Sequence, residues 1–143
     1  MPPSLNPALL LAAALSFIAA LLHLGCILGG PAWYRFFGAG ERMAQAAARG
    51  SWVPAGVTAG ITLVLLAWAA YALSAAGAVP RLPLLKAAIV AITVVYLLRG
   101  LVLVPALVFK PTHVTPFVVW SSLICLGYGL VHLLGVVQVW GRL

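Results

Sequence analysis

Four long apolar runs dominate the chain, at about 5–29, 52–76, 82–109 and 116–140. Each has the ~20 residues that a helix needs to cross a bilayer. None alternates apolar and polar residues as the strand of a membrane barrel does. Backbone groups in hydrocarbon must find their partners within the structure, so helices are the spanning form open to these runs. The expected fold is an all-α, integral membrane bundle of four transmembrane helices, a single domain over residues 1–143.

Proline and glycine mark the boundaries. Pro2, Pro3 and Pro7 open the first run, and Gly29, Gly30 and Pro31 close it. Gly77 ends the second, Pro80 and Pro83 precede the third, Lys110 and Pro111 follow it, and Gly141 ends the fourth. Pro105 lies inside the third run and predicts a kink or an early end there. The first run has no basic residue before it and exceeds a signal-peptide core in length, so it is expected to stay as a helix.

Composition supports the membrane assignment. Of the 143 residues, 65% are hydrophobic and 6% charged, against about 25% charged in a soluble domain. The mean hydropathy is +1.19. An ordinary soluble enzyme domain, a disordered tail and a nucleic-acid-binding module are excluded. The net charge of +7 does not reverse this. Arg35, Arg42, Arg49, Arg81, Lys86, Arg99, Lys110 and Arg142 are scattered, mostly at the ends of apolar runs, where cations meet lipid headgroups. A nucleic-acid binder would cluster them on one face. Membrane lipid is the expected partner and nucleic acid is not.

The loop over 31–50 is the longest. Trp33, Tyr34, Phe36 and Phe37 surround Arg35, a headgroup-level composition. Gly38 and Gly40 break the chain, and 41–49 reads as a short interfacial helix stopped by Gly50. Loops 1 and 3 carry Arg35, Arg42, Arg49 and Lys110. The other side carries Arg81, Lys86 and Arg142. This margin of one places loops 1 and 3 in the cytoplasm. Richness in Ala, Gly, Leu and Val suggests a bacterial inner membrane. The near balance of charge also permits insertion both ways and an antiparallel homodimer, and an exposed face of small residues points to a homo-oligomer.

Ionisable and polar groups inside a span are costly and point to function. In the first run Ser16, His23 and Gly30 recur every seven residues. His23 lies roughly 9 Å of helix from loop 1. The second holds the small-residue motif Gly56-x-x-x-Gly60, with Thr58 and Thr62 a turn apart. The third aligns Lys86, Thr93, Tyr96, Arg99 and Gly100. The fourth aligns Ser121, Cys125, Tyr128, His132 and Gly135, with Ser122 beside Ser121.

By depth, His23, Thr58, Thr62, Tyr96, Arg99, Ser121, Ser122 and Cys125 share the half nearest loops 1 and 3. The expectation is a polar pocket there. Arg99 would anchor an anion, His23 and Tyr96 would orient it, and Ser121, Ser122 and Thr62 would line it. Trp33 and Tyr34 would cap it, and Glu41, the one acid in the chain, would neutralise Arg99 when it is empty. Plainer readings stand beside each role. Arg99 reaches the interface along its own stem. His23 and His132 make helix-to-helix hydrogen bonds. Glu41 pairs with Gln45 or Arg35. The aromatic run is an anchor rather than a lid.

Other chemistries lack their residues. His23 and His132 differ in depth by roughly 17 Å, too far for two ligands of one haem iron. Zinc lacks convergent ligands. Cys26 and Cys125 lack the spacing of a redox pair. A hydrolytic triad or a magnesium site has only Glu41 for an acid. No span holds a carboxylate for proton coupling. No cofactor or metal is expected. The leading expectation is a protein that binds, and moves, an anionic or amphiphilic small molecule or lipid. The alternatives are an accessory subunit with a membrane partner protein, and a lipid-modifying transferase using His23.

Overall fold

The computed structural model describes residues 4–143, so Pro2 and Pro3 lie outside it. Its elements are α1 (Pro7–Gly29), α2 (Pro31–Phe36), α3 (Glu41–Ala48), α4 (Val53–Ala76), α5 (Leu85–Leu101), α6 (Leu103–Phe109) and α7 (Pro116–Val139). Short 3-10 turns follow α6 at Pro111–His113 and α7 at Trp140–Arg142. Among the described residues there is no strand. Four helical segments are long and apolar enough to span a membrane, with α5 and α6 together forming the third. The fold is thus all-helical with four spanning helices, as the apolar runs require.

Local chemistry sets the helix ends. Asn6 precedes Pro7, and its Oδ1 accepts from the Leu9 amide at 2.8 Å, the action of an N-cap before a first-turn proline. Thr115 does the same for α7, accepting from the Val118 amide at 3.3 Å ahead of Pro116. The third span starts three residues later than its apolar run, because Leu84 takes a left-handed conformation (φ 54°) after Pro83. Pro105 has no amide to bond the Leu101 carbonyl, and the helix breaks at Val102 between α5 and α6. Loop 1 holds two helices where one was expected. The additional one, α2, has Pro31 in its first turn.

The chain divides into two compact units. One holds the chain up to Ser16 with Trp68–Leu143, and the other holds Phe17–Ala67. The first unit gathers the start of α1, the end of α4, and α5 to α7. Its core is Leu9, Ala12, Ala13, Ala72, Ala75, Ala76, Leu85, Ile89, Val136 and Val139. Half of these are alanines, as expected where lipid supplies no hydrophobic drive between helices and close backbone packing must act instead. Within this unit α5 packs along α7 over much of its length. A Cβ on Gly100 would lie 2.7 Å from the Leu126 Cα, and one on Gly129 would lie 2.9 Å from the Leu97 amide nitrogen. These glycines let the two backbones touch. At one end of this unit the Asn6 amide bonds the Ala76 carbonyl. Asn6 Nδ2 also donates to Gln138 Oε1 at 2.8 Å. Arg142 donates to the Ser4 carbonyl, and Arg81 to the Arg142 carbonyl. Loop 2 and both ends of the described chain therefore meet on one side.

The second unit has a small core of Cys26, Tyr34 and Ala44. The Trp33 indole lies across Gly25 and Gly29 of α1, where a Cβ would collide with its ring. Large apolar side chains such as Leu63, Val104 and Val137 point outward, each more than 60% exposed. Only 17–28% of the most apolar stretch of each span is buried. A surface of this kind belongs in lipid.

Candidate functional site

Arg99, near the end of α5, meets two hydroxyls of α7. Its Nη1 donates to Ser122 Oγ at 3.0 Å and its Nη2 to Ser121 Oγ at 3.1 Å. Ser122 is fully buried, whereas the arginine is exposed. Ser121 in turn donates to the Val118 carbonyl at 3.3 Å. Both partners are neutral, so the positive charge has no counter-ion there. A guanidinium has five N–H groups. Those beyond the two serine bonds remain to meet an anion.

Glu41, the expected partner of Arg99, is engaged within its own unit. Glu41 is the only acid in the chain, and Arg35 holds it in a two-pronged ion pair. Arg35 Nε donates to Oε2 and Nη2 to Oε1, both at 2.9 Å, with Gln45 donating to Oε1 at 3.3 Å. Only six residues separate Arg35 from Glu41, and the turn at Gly38 and Gly40, both with positive φ, brings α2 and α3 together. The local partner costs less chain ordering than a distant one. The hydrogen bond from Arg35 holds the Glu41 carboxyl below its usual value, and the same bond raises the Arg35 guanidinium.

Tyr96, one turn before Arg99, is the hub of a second and buried cluster. Its hydroxyl bonds Ser16 Oγ at 2.9 Å. Its ring meets Trp68, Tyr128 and His132 with centroids 5.0, 5.5 and 5.0 Å away. His132 is fully buried. Its Nδ1 lies 2.8 Å from the Tyr128 carbonyl. A carbonyl can only accept, so Nδ1 carries the proton and Nε2 is a bare acceptor. Nε2 has no partner. Helical spacing had put His132 on the face of α7 with Ser121, but depth had put it in the half of the membrane opposite Tyr96, so their contact was not legible.

The remaining expected site residues belong to the other unit, and each has its own partner there. His23 Nδ1 donates to the Ala19 carbonyl at 2.7 Å. Tyr34 is buried, with the Thr58 hydroxyl 3.5 Å from its own, at the limit of a hydrogen bond. Thr58 bonds the Pro54 carbonyl at 2.7 Å, and Thr62 bonds the Thr58 carbonyl at 2.9 Å. Trp33 is seated on α1 as described. Of the nine expected site residues, Arg99, Ser121 and Ser122 come together. Among the described residues, no three His, Cys, Asp or Glu side chains gather as a metal set would.

No known protein-family model, curated protein or solved structure matches this chain.

Proposed function

We propose that this small membrane protein binds an anionic or amphiphilic molecule through Arg99, and that Ser121 and Ser122 hold the guanidinium ready for it. The observation that carries this reading is the charge of Arg99. It sits on a spanning helix, is exposed, and among the described residues its partners are two hydroxyls. A charge on a spanning segment is costly unless it reaches the membrane edge, and at that edge anionic groups are what it meets. With the chain's one acidic side chain bound to Arg35, the reading takes the neutralising anion from outside the chain. A phosphate or carboxylate suits the planar fork of N–H donors best. Movement of that molecule across a bacterial inner membrane, with loops 1 and 3 cytoplasmic, belongs to the same proposal.

A second reading is an accessory subunit whose partner helix supplies the carboxylate. Gly60 favours it, since a Cβ there would meet nothing within 4 Å, and that half of the GxxxG motif remains open to a neighbouring helix.

Native mass spectrometry of the protein in a gentle detergent tests both readings. The expected result is one retained adduct of fixed mass, kept weakly by Arg99→Lys and lost by Arg99→Gln with helical circular dichroism unchanged. Equal retention by Arg99→Gln overturns the anion-binding reading. A stoichiometric protein partner in place of the adduct selects the second.

A further inference from the structure

Side chains pin loop 2 against the first unit. Ser74 is buried near the end of α4. Its hydroxyl donates to the Pro80 carbonyl and accepts from the Leu82 amide, both at 3.0 Å. Tyr71 donates to the Pro83 carbonyl at 3.1 Å. The residue between the two Ser74 bonds is Arg81. Pro80 and Pro83 also fix their own φ angles. A loop pinned in this way presents one side chain, Arg81, from a set backbone.

Arg81 Nη1 donates to the Arg142 carbonyl at 2.9 Å, and Arg142 Nη1 to the Ser4 carbonyl at 3.0 Å. Both arginines are exposed and both line one open pocket, with Ser74, Val79 and Leu85 in its other walls. A cation at a helix end suits the carbonyls there. Each such bond uses one N–H of the five on a guanidinium. The charges themselves are left unanswered. This unit carries Arg81, Lys86, Arg99, Lys110 and Arg142 and no acidic side chain, because Glu41 belongs to the other unit. Leu143 also lines the pocket. Among the described residues, however, the one ion pair is Arg35–Glu41, so the Leu143 carboxylate pairs with neither arginine. Two like charges turned to one pocket repel unless an anion lies between them.

Trp120 and Trp140 give the depth of this pocket. They are 66% and 50% exposed and about 30 Å apart along the helix, the thickness of a bilayer's hydrocarbon core. Tryptophans favour the two edges of that core. Lys86 lies 3.9 Å above the Trp140 ring, at the edge on the loop 2 side. Arg142 follows Trp140 by two residues, and Arg81 reaches its carbonyl. Both guanidiniums therefore lie on the headgroup side of that edge.

We infer that Arg81 and Arg142 form a phosphate-binding site at the loop 2 edge of the membrane, filled by a lipid phosphodiester or by free phosphate. Planar forks of N–H donors match phosphate oxygens two at a time. Ser74 is a positioning residue that fixes the backbone at Arg81. The site is independent of Arg99, whose serine partners lie about 30 Å of helix away.

The test uses the full chain carrying Arg99→Gln, so that the other end contributes nothing. It is stripped of lipid in detergent and titrated with dioleoyl phosphatidylglycerol or inorganic phosphate. Native mass spectrometry reads occupancy. One equivalent of a phosphate-bearing ligand should bind. Arg81→Gln and Arg142→Gln should each weaken it about fivefold, the effect of one basic residue at a membrane surface, and together remove it. Ser74→Ala keeps both charges but frees the loop, and should also weaken it. Arg42→Gln, in loop 1, should not. Phosphatidylglycerol that inorganic phosphate fails to displace identifies the lipid as the source. Binding of inorganic phosphate alone, with the same dependence on the two arginines, identifies the free ion. Unchanged affinity in the double glutamine variant overturns the inference, and a lowered melting temperature beside it shows a tether only. If the glutamine variants do not fold, Arg81→Lys decides. It keeps the charge, loses the planar fork and should still weaken binding, and unchanged affinity overturns the inference. Failure of both ligands to bind overturns it too.

Discussion

His132 shows how an unusual residue can be tested for hidden partners. Its Nε2 is a buried acceptor without a donor, a state that costs about 1–3 kcal/mol. The bond from Nδ1 to the Tyr128 carbonyl returns little, since hydrogen bonds within membranes average about 0.6 kcal/mol. His132→Leu should therefore be neutral or stabilising by about 1 kcal/mol in detergent unfolding. A loss above ~2 kcal/mol would mean that a donor, such as a buried water, satisfies Nε2 in the native protein. The Arg35–Glu41 pair gives a residue-scale prediction with a sign. Glu41 has a lowered folded value, so the pair's contribution is complete above the ordinary carboxylate value of 4.5. It disappears as pH falls through the lower folded one. The melting temperatures of the native protein and Glu41→Gln should differ at neutral pH and converge in acid. A gap that persists at low pH would show that the charge of Glu41 is not what matters. Both side chains are about half exposed, so the difference should also shrink in high salt.

At the level of elements, the α5–α7 contact depends on absent side chains. A methyl at Gly100 would press on the Leu126 backbone, which cannot rotate away. Gly100→Ala should cost about 1–3 kcal/mol, the range for overpacking a tight contact. Gly60→Ala is the matched control, because a Cβ there meets open space. It should hold or slightly raise stability, since alanine is the better helix former. If the two variants melt together, close approach is not what stabilises the pair. The element boundaries were largely legible, with the exceptions having local causes. Pro7 and Pro116 announce helix starts, and the structure adds the caps Asn6 and Thr115 just before them. Pro105 announces the break. The left-handed Leu84 is a conformation that no pattern of apolar residues encodes, and it moved the start of α5. The helix at Pro31–Phe36 was hidden because its aromatic residues read equally well as a headgroup anchor.

For the whole molecule, the bilayer register follows from α7: Trp120, next to the serines that hold the Arg99 guanidinium, lies about 30 Å of helix from Trp140 beneath Lys86, the thickness of a hydrocarbon core whose edges tryptophans favour. In vesicles, variants keeping only Trp120 or only Trp140 should be quenched best by probes attached near the headgroups. Stronger quenching of either by a probe at the bilayer centre would refute the register. The same register explains how Arg99 is tolerated on a spanning helix. Its stem lies in hydrocarbon while its charge reaches the edge.

The membrane class and the four helices were determined by the sequence alone, because about 20 apolar residues in lipid have one way to satisfy their backbone. Helical spacing also put Ser121 on one face of α7 with Tyr128 and His132 and singled out Arg99 as costly. What partners these groups took was decided by the tertiary structure. Arg99 was a candidate for Glu41 on charge alone, yet Arg35 takes that carboxylate because the turn at Gly38 and Gly40 brings it near first. Arg99 meets serines instead because Gly100 and Gly129 let α5 and α7 pack closely in one register. Spacing along a helix fixes which face a residue occupies. Which face of which neighbour lies opposite depends on backbone contacts between segments distant in sequence, and these exist only in the folded protein.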